Sequence, residues 1–253
     1  MELSTHVLGQ QVIHLSETSS TNTLAYKLLK DAPPEGTLII TDDQYAGKGQ
    51  ATNIWHAEAG KNLTFSLILH PTYIPSFRVF VLNKLSSLAV WKGLKDHLPN
   101  YDLQVKWPND VLLQKRKVAG ILVENIFEGS KLKTSIIGMG INVNQLHFPP
   151  ALQNRATSMG LEASYSFDLI AVLDSVLVYM ETMLDRLQQN PEALDRDYHD
   201  ALYGYQELIP LEVDGVEMKG TILGCRPDGK LGVQFGSSLR YFDMKEIRFP
   251  WFV

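Results

Sequence analysis

The chain is 253 residues long with a formal net charge of −5. It can therefore bury a large core in one or two domains, and its charge gives no support for general nucleic-acid binding. Its single cysteine, Cys225, cannot form an internal disulfide and has no metal-type Cys/His spacing around it, so we expect a buried, small apolar residue. The N-terminus lacks the basic start and apolar core of a signal peptide, and no apolar run is long enough to span a membrane. These features predict a soluble, cytoplasmic protein.

The first elements are predicted as strand, helix, strand and loop. Residues 11–15 have strand character, and the Ser/Thr-rich residues 17–22 are typical of an N-cap for a helix over residues 23–30. A β-branched strand over residues 37–41 then leads towards Gln44. The next segment, residues 45–53, is polar, contains glycine and shows no periodicity, which predicts a loop. Its GKGQ sequence, taken alone, is more typical of a plain surface loop than of a binding site.

Apolar periodicity predicts strands and one long helix in the middle of the chain. Strand patterns cover residues 62–70, 103–107 and 135–143, and apolar residues at helical spacing predict a helix over residues 77–97 that packs on a sheet. The last of these strands contains two glycines. Glycine weakens a strand unless a ligand or a neighbouring helix must come close to the backbone.

A hairpin is predicted between two short apolar runs, residues 111–113 and 118–123, with the polar residues 114–117 between them. The connection carries the basic cluster Lys115, Arg116 and Lys117. On residue pattern alone this cluster is either a solvated surface turn, which is the commoner case, or a site that holds an anion.

The C-terminal third predicts two helices followed by short strands. The first helix covers residues 167–187 with Ser166 as its cap, and the second covers residues 191–202 with proline in its first turn. The remaining residues alternate short β runs with Asp/Gly/Pro turns. The predicted fold class is therefore α+β: a mixed β-sheet domain flanked by helices over residues 1–205, and a small β-barrel over residues 206–253.

A set of motifs, in this order along the chain, resembles the signature of one family. They are SSTN at residues 19–22, DDQYAGKGQATNIW at 42–55, GKNLTFS at 60–66, KWPND at 106–110 followed by RKVAGILVE at 116–124, GMGINVN at 138–144 and RATSM at 155–159. They look like those of biotin protein ligases, the enzymes that attach biotin to carboxylase carrier domains. The resemblance implies an ATP-dependent ligase that forms biotinyl-5′-adenylate and then transfers biotin to a lysine of a biotin carboxyl carrier domain. It also implies a catalytic role for the first domain and an SH3-like form for the C-terminal barrel.

The resemblance also implies site residues. Biotin would contact Ser20, Thr21, Gln44, Gly47, Lys48, Gly49, Trp55, Lys117 and Gly120. ATP and the adenylate would contact Gln50, Lys106, Trp107, Asn109, Lys117, Asn142, Arg155, Ala156, Thr157 and Ser158. Lys117, Lys48 and Asp110 would be catalytic, with Lys117 orienting the biotin carboxylate and the α-phosphate. Mg²⁺ would be held mainly by the ATP phosphates.

Simpler roles compete with these assignments. The hydroxyls at residues 19–21 suit a helix cap, and Thr157 or Ser158 could serve as another cap. The indole of Trp55 could be a core aromatic at the loop exit. Lys106 could be a surface charge.

The glycine/basic loop departs from the family pattern. Gln50 stands where the family has arginine, and Thr52 stands where it has glycine, whereas Lys48 keeps a cation. Lysine screens phosphate as a point charge and glutamine cannot. We therefore expect Gln50 to hold the adenylate by neutral hydrogen bonds.

The alternatives to a biotin ligase are a lipoate-protein ligase with the same adenylate chemistry and a non-catalytic biotin-binding sensor. The motif at residues 19–22 comes too early for a preceding helix-turn-helix domain, so no DNA partner is expected. The resemblance also implies that two copies of the chain could pair as a homodimer. The sequence shows no signal peptide and no apolar run of membrane-spanning length, so no membrane partner is expected.

Overall fold

The structure, a computed structural model, describes residues 2–49 and 54–250. A mixed sheet of seven strands has the order β1-β2-β3-β7-β6-β5-β4. Only β1 and β2 run parallel, and every other neighbouring pair is antiparallel. The strands are β1 (Val12–Thr18), β2 (Thr37–Gln44), β3 (Leu63–Leu69), β4 (Leu103–Lys106), β5 (Asp110–Leu113), β6 (Arg116–Glu128) and β7 (Lys131–Ile141).

Helices cover both faces of this sheet. They are α1 (Thr21–Leu28), α2 (Val81–His97), α3 (Met159–Ala163), α4 (Leu169–Gln189) and α5 (Pro191–Ala201). Successive strand residues point to opposite faces, and this alternation divides the core. Ile39 and Ile68 pack with Ala25 of α1, whereas Leu38 and Leu67 belong to the larger cluster that includes α2 and α4.

The hairpin connection is shorter than predicted. It consists of Gln114 and Lys115, which both have positive φ, 50° and 62°. Two-residue turns with positive φ match the twist of antiparallel strands. Arg116 and Lys117 therefore belong to strand β6 rather than to the turn, and their side chains take directions fixed by the sheet.

The predicted cap of the long C-terminal helix is wrong by two residues. The helix α4 begins at Leu169, and the Asp168 carboxylate accepts hydrogen bonds from the N–H groups of Ile170 and Ala171. A carboxylate at this position satisfies the free N–H groups and also interacts favourably with the helix dipole. Ser166 lies outside the helix. The helix predicted from residue 77 begins at Val81, after a short 3₁₀ turn.

The C-terminal strands form a five-stranded antiparallel sheet in the order β11-β10-β9-β8-β12. They are β8 (Leu208–Val213), β9 (Val216–Cys225), β10 (Leu231–Phe235), β11 (Ser238–Phe242) and β12 (Ile247–Arg248). The α+β fold class is confirmed, with a second antiparallel sheet at the C-terminus. Within residues 54–250 the edge strands β11 and β12 do not pair with each other.

Side chains from the first sheet and its helices hold the backbone of the C-terminal sheet. Lys84 Nζ donates to the Cys225 carbonyl at 3.2 Å, and the Cys225 N–H donates to His199 Nε2 at 2.9 Å. Trp107 Nε1 donates to the Gly229 carbonyl at 2.9 Å. Cys225 is buried as predicted, and burial raises the pKa of its thiol to about 12. The two sheets are thus joined directly beside the KWPND segment.

None of the helices in the described ranges is both long enough and apolar enough to cross a membrane.

Candidate active site

A cavity of about 660 Å³ lies between the mixed sheet and the segments that follow β2 and β7. Its lining includes side chains from α1, from the loop after β2, from the β4–β5 hairpin and from residues 148–156. The cavity has a charged end, an aromatic wall and a polar end.

The charged end contains a lysine–aspartate–lysine cluster. The β4–β5 register places Lys106 opposite Asp110, and Lys117 of β6 reaches the same carboxylate. Lys117 Nζ lies 2.6 Å from Asp110 Oδ1, and Lys106 Nζ lies 3.4 Å from Asp110 Oδ2. Burial alone would raise the pKa of Asp110, but the two ammonium groups outweigh it, so the pKa of this carboxyl is lowered. Asp110 therefore stays ionised and holds both cations at the cavity.

Backbone hydrogen bonds fix the position of the Lys117 main chain at the edge of the cavity. Its N–H donates to the Arg155 carbonyl at 2.8 Å, and its carbonyl accepts from the Thr157 N–H at 2.9 Å. Asn109 is anchored to the same strand, because its Nδ2 donates to the Ile121 carbonyl at 2.6 Å. The segment at residues 155–157 is thereby paired with β6 like a short extra strand, which brings the exposed Arg155 to the cavity.

Trp55 forms the aromatic wall. Its backbone N–H donates to the Gly47 carbonyl at 3.0 Å. Its indole ring packs on two strand glycines, Gly120 and Gly140. A Cβ on Gly120 would be 3.1 Å from Trp55 Cζ3, and one on Gly140 would be 2.6 Å from Trp55 Cζ2. Lys117 Nζ lies 5.6 Å from the centre of the indole ring, within range of a cation–π interaction. Position 140 therefore needs glycine, because the Trp55 indole occupies the space that a side chain would fill.

The polar end is built at the start of α1. Ser20 caps the helix, its Oγ accepting from the Thr23 N–H. The Thr21 N–H donates to Gln44 Oε1 at 2.9 Å. Thr21 and Gln44 are both buried and both line the cavity.

Most of the predicted site residues line this one cavity. They are Ser20, Thr21, Gln44, Lys48, Gly49, Trp55, Lys106, Asn109, Asp110, Lys117, Gly120, Asn142, Arg155 and Ala156. Gln50 and Thr52 lie outside the described residues, so the hypothesis about the altered loop stays a prediction. The ligand contacts of the whole set are likewise predictions.

Four predicted residues have other contacts. Gly47 packs against Trp55 and Gln44, and Trp107 Nε1 donates to the carbonyl of Gly229 in the connection between β9 and β10. The Thr157 hydroxyl bonds Glu162, while Ser158 caps α3 and donates to the Gln145 carbonyl at 2.6 Å. The capping alternative considered for Ser158 is therefore what the structure shows.

Several cavity residues were missed by sequence reasoning. Asn22, Thr64 and Phe148 line the cavity, and Ser66 lies directly behind Thr21. Asn22 is the last residue of the SSTN motif and Ser66 the last residue of the GKNLTFS motif. Membership of these motifs was the sequence feature that could have pointed to them. The glycines of β7 did signal a close approach, and Gly138 faces Asn22 of α1 while Gly140 faces Trp55.

A second cavity of about 640 Å³ adjoins the charged end and shares Lys106, Pro108 and Arg155 with it. Its other side is formed by the C-terminal sheet, including Arg248 and Phe249. Lys106 Nζ lies 5.1 Å from the centre of the Phe249 ring. The cationic cluster is thus accessible from two directions.

Comparison with known proteins identifies the family of this chain. Residues 15–142, about half of the chain, match the sequence model of the biotin/lipoate A/B protein ligase family. The chain belongs to this family. The match spans the region from β1 to the end of β7 and so includes Lys106, Asp110 and Lys117.

Named relatives within the family are biotin ligases. The bifunctional ligase/repressor BirA of Bacillus subtilis is 38% identical over 181 residues, which cover 71% of this chain and 55% of that protein. A biotin–[acetyl-CoA-carboxylase] ligase of Paracoccus denitrificans is 34% identical over 130 residues, which cover 51% of this chain and 53% of that protein. The chain spans about half the length of these relatives.

A solved structure shares the fold over nearly the whole chain. The biotin protein ligase of Aquifex aeolicus, in complex with biotin and ATP, superposes with a TM-score of 0.78 at 25% identity. The match covers 94% of this chain and 98% of that one. It therefore extends past the family segment into the C-terminal sheet.

Proposed function

We propose that this chain is an ATP-dependent biotin–protein ligase that forms biotinyl-5′-adenylate and transfers biotin to a lysine of a biotin carboxyl carrier domain. The observation that carries the proposal is the layout of the cavity. The buried polar side chains of Thr21 and Gln44 lie at one end, Trp55 forms the wall, and Lys117 and Lys106 lie at the other end. A ligand with a polar ring, an apolar body and a carboxylate matches this order.

The first step joins the biotin carboxylate to the nucleotide. A carboxylate oxygen attacks the α-phosphorus of ATP, the bond from this phosphorus to the bridging oxygen breaks, and pyrophosphate leaves. Negative charge gathers on the phosphoryl oxygens, so fixed cations lower the barrier. Lys117 supplies this charge close to the carboxylate, and Lys48 and Arg155 line the same cavity.

Asp110 acts through the lysines. It holds Lys117 and Lys106 by ion pairs before the substrates arrive, so their side chains need little reorganisation when the phosphates bind. Preorganised charge is worth more than charge that must be moved into place. We therefore assign Asp110 a positioning role, with the alternative that it orients the incoming amine.

The second step transfers the biotinyl group. The neutral amine of an acceptor lysine attacks the carbonyl carbon of the mixed anhydride, AMP leaves with the electrons of the broken carbon–oxygen bond, and the amine loses a proton. The cations that favoured adenylation also stabilise the departing phosphate. The second cavity, between the charged end and the C-terminal sheet, gives an acceptor a separate approach.

Magnesium is expected to enter with ATP. No group of three or more His, Cys, Asp or Glu side chains in residues 2–49 and 54–250 could hold a metal ion. Asp110 is the single carboxylate among the described residues that line the main cavity. Mg²⁺ commonly keeps several waters and binds substrate phosphates with only one or two carboxylates. Both oxygens of Asp110 are already paired with Lys117 and Lys106, so we expect the ATP phosphates to hold the ion. The ion would screen the phosphate charge.

The test is transfer of labelled biotin to a carboxylase carrier domain with ATP and Mg²⁺, run in parallel with labelled lipoate on a lipoyl domain. We expect biotin transfer that requires ATP and no lipoate transfer. Transfer of lipoate instead would identify the other branch of the family. Tight biotin binding without transfer to any carrier domain would favour the non-catalytic sensor.

A further inference from the structure

A buried hydrogen-bonded chain leads from the surface to the polar end of the cavity. Ser66 Oγ lies 2.7 Å from Thr21 Oγ1 and 2.6 Å from Asn22 Oδ1. Asn22 Nδ2 lies 2.7 Å from the carboxylate of Glu124. Thr21, Asn22 and Ser66 are at most 4% exposed, whereas Glu124 is at the surface. The four residues come from α1, β3 and β6.

Glu124 fixes the orientation of the Asn22 amide. A carboxylate and a backbone carbonyl only accept hydrogen bonds. Two such acceptors face the same end of the Asn22 amide: Glu124 Oε2 at 2.7 Å and the Leu122 carbonyl at 3.5 Å. That end must be the NH₂ group, so Oδ1 points to Ser66. Gly138 makes room for this arrangement, because a side chain there would overlap the Asn22 amide.

The orientation of Asn22 determines where each hydroxyl proton goes. Ser66 has one proton, and the Asn22 oxygen can only accept, so Ser66 donates to Asn22 and is left to accept from Thr21. The other acceptor within reach of the Thr21 proton is Gln44 Oε1 at 3.4 Å. The Thr21 proton is therefore used inside the protein, and the lone pairs of its oxygen remain for a ligand.

Gln44 is oriented in the same way. The Thr21 N–H can only donate, and it faces Gln44 at 2.9 Å. The facing atom must be Oε1, which leaves Nε2 as the donor end of the amide. The cavity thus offers an acceptor at Thr21 next to a donor at Gln44, which complements a cyclic urea with its N–H groups and its carbonyl oxygen.

We propose that Glu124, Asn22 and Ser66 form a relay that sets the Thr21 hydroxyl as a hydrogen-bond acceptor for a urea N–H of biotin. This inference rests on the proposed function and goes beyond it, because it makes a surface carboxylate and two buried side chains determinants of ligand specificity. None of the three is assigned a direct contact with the ligand. They are positioning residues that act through Thr21.

The test is a double-mutant cycle on biotin affinity, measured by calorimetry. A lysine at position 124 can only donate, so Glu124→Lys turns the Asn22 amide and reverses each hydrogen bond up to Thr21. We expect Glu124→Lys to weaken biotin binding about tenfold, and to have no effect when Thr21→Val has already removed the hydroxyl. Glu128→Lys is the matched control, since Glu128 is exposed on the same strand, and it should leave the affinity unchanged in both backgrounds.

A second variant keeps the charge constant. Ser66→Ala removes the acceptor of the Thr21 proton, and it too should weaken biotin binding only when Thr21 is present. A biotin whose urea nitrogens are methylated has no N–H to donate, so its affinity should not respond to Glu124→Lys. If Glu124→Lys or Ser66→Ala lowered biotin affinity equally in the Thr21 protein and in the Thr21→Val protein, the relay would be overturned while the ligase proposal stood. Failure of the unmodified protein to bind biotin would overturn both.

Discussion

Lys117→Ala is expected to slow biotin-dependent pyrophosphate release by about a thousandfold, because it removes the cation placed where negative charge develops. A thousandfold change corresponds to about 4 kcal/mol of activation free energy. The measurement is the exchange of labelled pyrophosphate into ATP in the presence of biotin. The fold should survive, since the backbone hydrogen bonds of residue 117 to Arg155 and Thr157 do not use its side chain.

The matched control for this variant is Lys115→Ala. Lys115 lies two residues away in the same basic cluster, but it is exposed in the hairpin turn and does not line the cavity. We expect its exchange rate to stay within about twofold of the unmodified protein, as for surface substitutions in general. Near-normal exchange in Lys117→Ala, or equal losses in both variants, would show that the charge of Lys117 is not what drives adenylation.

Gly140→Ala is expected to weaken biotin binding by about ten- to a hundredfold, equivalent to about 1.4–2.8 kcal/mol. The added methyl group would lie 2.6 Å from Trp55 Cζ2, so the indole must leave its place on the strand. Added volume at a packed site costs about 1–3 kcal/mol, and here the cost falls on the cavity wall. The measurement is the biotin dissociation constant by calorimetry.

Two further variants test the cause of the Gly140 effect. Combining Gly140→Ala with Trp55→Phe shortens the ring and should recover part of the affinity relative to Gly140→Ala alone. Gly232→Ala adds a methyl group to a strand of the C-terminal sheet, where it would meet the partly exposed Tyr241, and should leave biotin binding unchanged. Full affinity in Gly140→Ala would mean that the indole need not lie on this glycine.

Local patterns predicted most of the elements because the forces that form them are local. Apolar and β-branched runs located the strands over residues 37–41, 62–70, 103–107 and 135–143. Helical periodicity located the two helices that the structure bounds as Val81–His97 and Leu169–Gln189. The cap of the latter was placed at Ser166 because serine and aspartate both cap helices. Only the hydrogen bonds of Asp168 decide between them.

The partners within the site could not be predicted in the same way. The contact between Asn22 and Glu124 joins residues 102 positions apart, and the one between Ser66 and Asn22 joins residues 44 positions apart. Such pairs depend on the order of strands in the sheet, in which β3 and β7 separate β2 from β6. The motifs placed Lys117 and Asp110 in one site, but their shared ion pair with Lys106 follows from the register of the β4–β5 hairpin.

Trp107 shows that one motif residue can also hold the scaffold. It belongs to the KWPND segment, its side chain is 2% exposed and its Nε1 donates to the Gly229 carbonyl. It also lines the second cavity beside Lys106, and its contact with the nucleotide stays a prediction. A motif marks the segment that forms a site, and individual residues within it also hold the scaffold. Here the tryptophan joins the two sheets while its neighbours Lys106 and Asn109 line the cavity.

The most direct test of the central claim is formation of biotinyl-5′-adenylate by the purified chain with biotin, ATP and Mg²⁺ and without any acceptor protein. Mass spectrometry of the protein-bound fraction should detect biotinyl-5′-adenylate together with one pyrophosphate released for each adenylate formed. In the same reaction time Lys117→Ala should yield about a thousandfold less of both products, and Lys115→Ala should yield nearly the amounts of the unmodified protein. Biotin binding without adenylate or pyrophosphate in the unmodified protein would contradict the assignment of this cavity to carboxylate activation.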